Sequence, residues 1–334
     1  MRGVLIVLSF ALFVACKAQK DITEVNPEKY AKNIKAQTLK TKLYTYASDE
    51  FEGRDTGQPG QKKAAEYLKN FYISIGVEPA LGDDDYYQDI PSSFFNDRLP
   101  DSENVVAFIP GDGTSDEVLV ISAHLDHIGK KDDKIFNGAD DDGSGTVAIL
   151  EIAKAFKEAV NDGYQPKRGI VFLHVTAEER GLLGSKYYTE NPIFPIENTV
   201  ANLNIDMIGR VDKSHEDKPN YVYLIGSDRL STELHELSEE VNEKFINLYL
   251  DYKYNAFNDP NRFYYRSDHY NFAKFDIPVI FYFNGVHEDY HRETDTPEKI
   301  NYELLEIRTK LIFHTAWEIA NRDERPFVDK PTKK

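Results

Sequence analysis

"RGIVFLHVTAEERGLLGS", Arg168–Ser185, opens with an apolar run from Gly169 to Val175 that is broken only by His174. A run without alternation marks a strand covered on both faces, as in a parallel sheet, rather than a strand with one wet side. Just past it stand Glu178 and Glu179. Adjacent carboxylates at a strand tip repel each other and lose solvation. Either they are exposed acids at a helix start, where acids are favoured, or a positive charge sits in front of them.

The same signature recurs along the chain. "EVLVISAH" (117–124), "TVANLNIDMIG" (199–209), "NYVYLIGS" (220–227) and "IPVIFYFNG" (277–285) read as strands. Helical spacing predicts helices over 38–48, 58–75, 144–160, 231–245 and 297–321, with a short one at "SKYYTENP" (185–192). Pro59 near the start and Gly76 past the end bound the second of these. Strands alternating with helices predict one α/β domain over 36–325, a mixed but mostly parallel central sheet with helices on both faces. Residues 17–35 read as a polar tether and 326–334 as a polar tail.

The net charge of the 334-residue chain is −17, with Lys and Arg scattered. That excludes nucleic acid and anionic lipid as electrostatic partners. The N-terminus, "MRGVLIVLSFALFVAC", has Arg2, an apolar run over 4–15 and then Ala15 and Cys16. The run is too short to span a bilayer and has the shape of a secretory signal. Ala15 before the single Cys of the chain points to a lipoprotein-type signal over 1–16 with lipid on Cys16. The expected location is the cell envelope, as a periplasmic or outer-membrane lipoprotein, with the membrane touched only through that anchor. One Cys allows no intramolecular disulfide, so the fold stands on its core.

In open α/β sheets ligands bind beyond the carboxyl ends of the strands. Those ends carry His124, Asp126 and His127 of "AHLDH", then Asp140, Asp141 and Asp142 of "NGADDDGSG". They also carry Glu178 and Glu179, Asp206 of "NIDM", and His287, Asp289, His291 and Asp295 of "GVHEDYHRETDT". "RSDH" (266–269) precedes the last strand. Imidazoles and carboxylates from separate segments, without Cys, suit zinc or a similar divalent ion. A bound cation would account for the Glu178–Glu179 pair, one acid ligating while its neighbour faces a metal-activated water.

These segments, in this order from about residue 100 onward, resemble the secreted bacterial double-zinc aminopeptidases. Relatives of that family are the glutamate carboxypeptidases, the glutaminyl cyclases and the transferrin receptor ectodomain. The resemblance implies a zinc exopeptidase fold and two zinc ions per chain. It implies that His124, Asp206 and a bridging Asp141 hold one ion, and that Glu179, His291 and the same Asp141 hold the other. Asp141 is chosen over its neighbours because the family spacing is Asp, two residues, then Ser-Gly, here Ser144-Gly145. Asp126 matches a carboxylate that orients His124. Glu178 matches the general base that activates a metal-bound hydroxide for attack on a peptide bond at a substrate's N-terminus. Tyr290 resembles an oxyanion donor, and Arg266 a substrate-orienting arginine. Three ligand carboxylates and one hydroxide neutralise two divalent ions, which makes burial tolerable.

Other residues have plainer readings. His174, inside a strand, reads as core, and His215 and His235 as solvated. His127, His269 and His287 lie near the site without a role, and Asp268 and Asp295 read as supports. "EGRDTGQPG" (52–60) reads as a turn into a helix with no chemistry. "DYKYNAFNDPNRFYYR" (251–266) is either a packed loop or a wall of a pocket for an apolar side chain. Alternative functions are a carboxypeptidase or dipeptidase of the same fold, a one-zinc glutaminyl cyclase, or a non-catalytic ectodomain. The full ligand set argues against the last two.

Overall fold

The strand that ends at His124 runs through the middle of the molecule, and its position explains where the site lies. The computed structural model describes residues 25–82 and 85–331, so the signal segment, Cys16 and residues 17–24 lie outside the described residues. The strands are β1 (Glu78–Pro79), β2 (Tyr87–Ile90), β3 (Ser102–Ile109), β4 (Val118–His124), β5 (Gly129–Lys131), β6 (Lys134–Phe136), β7 (Gly169–Val175), β8 (Thr199–Ile205), β9 (Tyr221–Ile225), β10 (Tyr249–Asp251) and β11 (Val279–Phe283). The helices are α1 (Glu28–Ala31), α2 (Ala36–Tyr46), α3 (Pro59–Ile75), α4 (Gly145–Asn161), α5 (Leu183–Glu190), α6 (Thr232–Val241), α7 (His269–Ala273) and α8 (Tyr302–Asn321).

The main sheet has the order β1-β3-β7-β4-β8-β11-β9-β10, with β2 also paired to β3, and β5 and β6 form a separate hairpin. The four central strands β7, β4, β8 and β11 are mutually parallel. The sheet turns antiparallel on both sides, at β3–β7 and at β11–β9. The expected mixed sheet is therefore present, with parallel pairing concentrated at its centre. Three of the central strands, β4, β7 and β11, feed both faces. In β4, Leu119, Ile121 and Ala123 join one apolar cluster, while Val118 and Val120 join the other. The chain crosses from β4 to β7 on one side and then to β8 on the other, so β4 sits at a switch point where a crevice opens at the strand tips.

Several boundaries differ from those the sequence predicts. The strand expected over 199–209 stops at Ile205, because the Asp142 carboxylate takes the Met207 N–H out of the ladder. The last helix begins at Tyr302 rather than 297: Pro297–Lys299 form a separate 3-10 turn, and Asn301, whose N–H goes to the Gly209 carbonyl, caps the helix that follows. The polar segment expected to be a tether is packed from residue 25 onward. Ile34 is fully buried and Tyr30 stacks on Trp317 at 5.8 Å. The tail is tied down as well, since Asp329 accepts from the Thr232 N–H and hydroxyl at the start of α6. No helix among the described residues is long and apolar enough to cross a membrane.

Candidate metal centre and active site

The tips of β4, β7 and β8, the loop before α4 and the loop after β11 meet in one crevice. The loop over Ala139–Ser144 separates its three adjacent aspartates, and does so through backbone geometry, with a cis peptide between Asp141 and Asp142. Asp142 accepts from the N–H groups of His124, Gly145 and Met207, which knits two strand tips to the start of α4. Asp140 accepts from the Gly209 N–H at 2.7 Å and meets His287 Nε2 at 3.1 Å. Asp141 alone turns its carboxylate into the crevice. Its main chain is held by Asp295, which accepts from the N–H groups of both Asp140 and Asp141.

Two groups of potential ligands converge there, His124 with Asp141 and Asp206, and His127 with Asp141 and Glu179. His124 Nε2 lies 3.1 Å from Asp141 Oδ1 and 3.6 Å from Asp206 Oδ1. His291 Nε2 lies 3.2 Å from Asp141 Oδ2 and 3.2 Å from Glu179 Oε2. All five residues expected as ligands are thus in one place, with Asp141 shared between the two halves.

The donor set fits cations. His124 Nδ1 sits 3.0 Å from the Asp126 carbonyl, which can only accept, so Nδ1 carries the proton and Nε2 presents its lone pair to the crevice. His124 Nε2, Asp141 Oδ2 and Glu179 Oε1 are buried without a hydrogen-bond partner, as are both ring nitrogens of His127. One charge left buried and unpaired costs about 3–5 kcal/mol, so such a gathering is tolerable only around something positive. The electrostatics agree. Burial alone would depress His124 and His291, but the facing carboxylates outweigh it and hold both imidazoles up, His291 at about 10. Burial likewise pushes the Asp141 carboxyl up, and His124 and His291 outweigh it, leaving the group well below its usual range.

Glu178 stands apart from the ligands, and its neighbourhood differs accordingly. Loss of solvent, opposed by His124 and reinforced by Asp206, Asp268 and Glu179, raises its carboxyl well above the ordinary value. Its N–H is held by Asp126 Oδ1 at 3.1 Å. Asp126 stands between Glu178 and His124. Its carboxylate is 3.9 Å from His124 Nδ1 and does not bond the ring. It accepts from the Glu178 N–H and the Thr56 hydroxyl, fixing the turn that aims Glu178, while its main-chain carbonyl orients His124.

A small pocket opens beside these groups, lined by Asp141, Glu178 and Asp206 together with Met207, Phe263, Phe281, Phe283 and Val286. Arg266 and Tyr290 close its mouth. Tyr290 stacks on His291 with ring centres 3.9 Å apart, and Arg266 Nη2 reaches the Tyr290 hydroxyl at 3.5 Å. From the aromatic segment 251–266, only Phe263 and Arg266 reach this pocket; Phe257, Tyr264 and Tyr265 line a different surface groove.

Sequence reasoning missed the braces behind the site. Arg54, in the "EGRDTGQPG" turn, is buried, and its guanidinium donates to the carbonyls of Tyr46, Leu125, Asn137 and Gly138. It clamps the loop after His124 to the loop before Asp141. His287 is likewise a buried partner of Asp140. His215, expected to be solvated, is buried, stacked on Tyr221 at 3.5 Å and flanked by Asp212 and Asp251. His174 is core as expected and meets the Tyr72 hydroxyl at 2.7 Å. His269 is core too, against Phe281.

A parallel-centred sheet gathers, at its switch point, carboxylates and imidazoles that could hold metal ions. Comparison with known proteins narrows the class: the chain belongs to Peptidase family M28, whose model matches residues 104–316. It is 29% identical over 268 residues to leupeptin-inactivating enzyme 1 of Streptomyces exfoliatus, covering 80% of this chain and 52% of that protein. It is 29% identical over 295 residues to leucine aminopeptidase 1 of Fusarium vanettenii, covering 86% of this chain and 69% of that one. Its fold matches BSAP, a zinc aminopeptidase from Bacillus subtilis, with a TM-score of 0.66 and 16% identity, over 90% of this chain and 99% of that structure. The chain thus spans about half the length of the first of these relatives.

Proposed function

We propose that the chain is a zinc-dependent aminopeptidase that hydrolyses the first peptide bond of its substrates at a two-cation site. The observation that carries this reading is the sharing of Asp141 between two groups of potential ligands, with Asp141 and Asp206 lining the same pocket as Glu178. His124, Asp206 and Asp141 would hold one cation, and Glu179, His291 and Asp141 the other. Two such cations would supply Lewis-acid polarisation of a carbonyl oxygen and a water of lowered pKa. Glu178, lining the same pocket, takes the proton of the attacking water and delivers it to the leaving amine. The Tyr290 hydroxyl, kept protonated by burial, donates to the oxyanion that develops. Arg266 orients the substrate at the pocket mouth, and the Phe263, Phe281 and Phe283 wall takes an apolar side chain.

The test is hydrolysis of a panel of amino-acid p-nitroanilides, each with a free and with an acetylated amino group. Cleavage of the free forms only, best for apolar residues, supports the reading. Release of C-terminal residues from blocked peptides instead would assign Arg266 to the substrate carboxylate and make the enzyme a carboxypeptidase.

The reading extends to location. The apolar run over 4–15 and the Ala15–Cys16 pair support export and lipid attachment at Cys16. Labelling of cells with radioactive palmitate should mark the wild-type protein and not Cys16→Ser; equal labelling of both would remove the anchor.

A further inference from the structure

We propose that His127 is a further ligand of the second cation, sharing it through Nδ1 with Glu179, Asp141 and His291. The inference rests on the two-cation reading above. The imidazole is fully buried, and neither ring nitrogen has a hydrogen-bond partner. Nδ1 lies 2.8 Å from Glu179 Oε1 and 3.8 Å from Asp141 Oδ2. At 2.8 Å the Glu179 oxygen is within hydrogen-bond reach, yet the pair lacks the alignment of a hydrogen bond, and both atoms are left orphaned. Two buried polar atoms that stand side by side without addressing each other both address a third point. That point is the one His291 Nε2 faces from the other side, with the two imidazole rings 5.9 Å apart and nearly perpendicular.

The backbone is shaped to admit this ring. Gly138 packs against it so closely that a Cβ there would fall 2.5 Å from His127 Cγ and 2.6 Å from Cδ2, and would also strike the Asp141 carbonyl. The His127 N–H is anchored on the Arg54 carbonyl, so the ring is carried by the same buried brace that holds the loops of the site. Orphaned ring nitrogens alone do not mark a ligand, since the core residue His269 has both of its own unpartnered; what sets His127 apart is that its Nδ1 faces the Glu179 and Asp141 carboxylates.

The experiment follows zinc release from the purified holoprotein to a chromogenic chelator, which counts and ranks the bound ions without an activity assay. His127→Ala removes the ring; His127→Asn places an amide nitrogen near the Nδ1 position, which can support Glu179 but does not ligate zinc. Both variants should release one of the two zincs at least about tenfold more readily than wild type and keep the other unchanged. An Asn variant that holds both ions as wild type does would overturn the proposal and reduce His127 to a support for Glu179. A wild-type protein that carries a single zinc would instead bring down the two-cation reading itself. Should the variants fail to fold, zinc K-edge X-ray absorption on the wild-type holoprotein decides: the proposal requires three imidazoles over two zincs, and two imidazoles over two zincs contradict it.

Discussion

Arg54 and the Asp141 cluster are both buried polar regions, they brace the same two loops, and they meet the demand of burial in opposite ways. The Arg54 guanidinium spends its donors on four main-chain carbonyls, so its charge is answered inside the protein. The cluster leaves His124 Nε2, Asp141 Oδ2 and Glu179 Oε1 without partners, all facing one crevice. A buried polar group whose partners are internal serves the fold. One whose partners are missing is held in place for something that arrives later. Damage to the first region should therefore appear in stability, and damage to the second in binding and turnover.

The largest expected effect falls on turnover. Glu178→Gln should lower kcat by roughly 10³-fold or more while zinc content, measured on the same sample, stays at the wild-type value. The same substitution should raise the stability of the zinc-stripped protein by about 1 kcal/mol in urea, because it removes a carboxyl whose ionisation the site opposes. Full activity in this variant would separate Glu178 from the chemistry. Arg54→Met should do the reverse. It removes a donor from four main-chain carbonyls, of which Leu125 keeps the Tyr46 hydroxyl and Gly138 the Gly143 N–H, and should cost about 2–3 kcal/mol of folding stability, read as a lower urea midpoint, while the molecules that remain folded keep their zinc. Zinc loss without loss of stability would erase the contrast. Tyr290→Phe should lower kcat about 10- to 100-fold with little change in KM, since the hydroxyl is needed only as charge develops; an equal effect on KM would make it a binding group.

A subtler contrast concerns pH. Burial lowers the His174 imidazole to about 3. Its folded pKa lies below the value near 6.5 of an unfolded histidine, so the unfolded chain binds the extra proton. Stability is then intact above about pH 6.5 and falls as pH drops toward 3, by up to about 1.4 kcal/mol per pH unit for this one group. His174→Gln should flatten the acid limb of a stability–pH profile by that slope, with no effect on zinc. An unchanged limb would mean that His174 protonates freely in the native state.

How much of this is legible in the sequence follows the same division. The central strands announce themselves because burial on both faces leaves unbroken apolar runs. Strands such as β1, β2 and β10 are two to four residues long and carry no pattern, and the apolar Val105–Ile109 of β3 follows a polar start, Ser102–Asn104, that blurs its signal. The ligand positions are legible because His and carboxylate at strand tips are chemically marked. The braces are not. Arg54 works through main-chain carbonyls that no residue type reveals, and the His-x-Asp spacing of His124 and Asp126 cannot say which oxygen meets the ring. The orphaned state of His127 is likewise invisible until its neighbours are placed.

The central claim is that this crevice is built around two cations that share Asp141. Elemental analysis of the purified protein, before and after mild chelation, tests it most directly. The account predicts about two zinc ions per chain as isolated, with peptide hydrolysis lost on their removal and regained on their return. A stoichiometry of one or none in protein that still hydrolyses amides would contradict it.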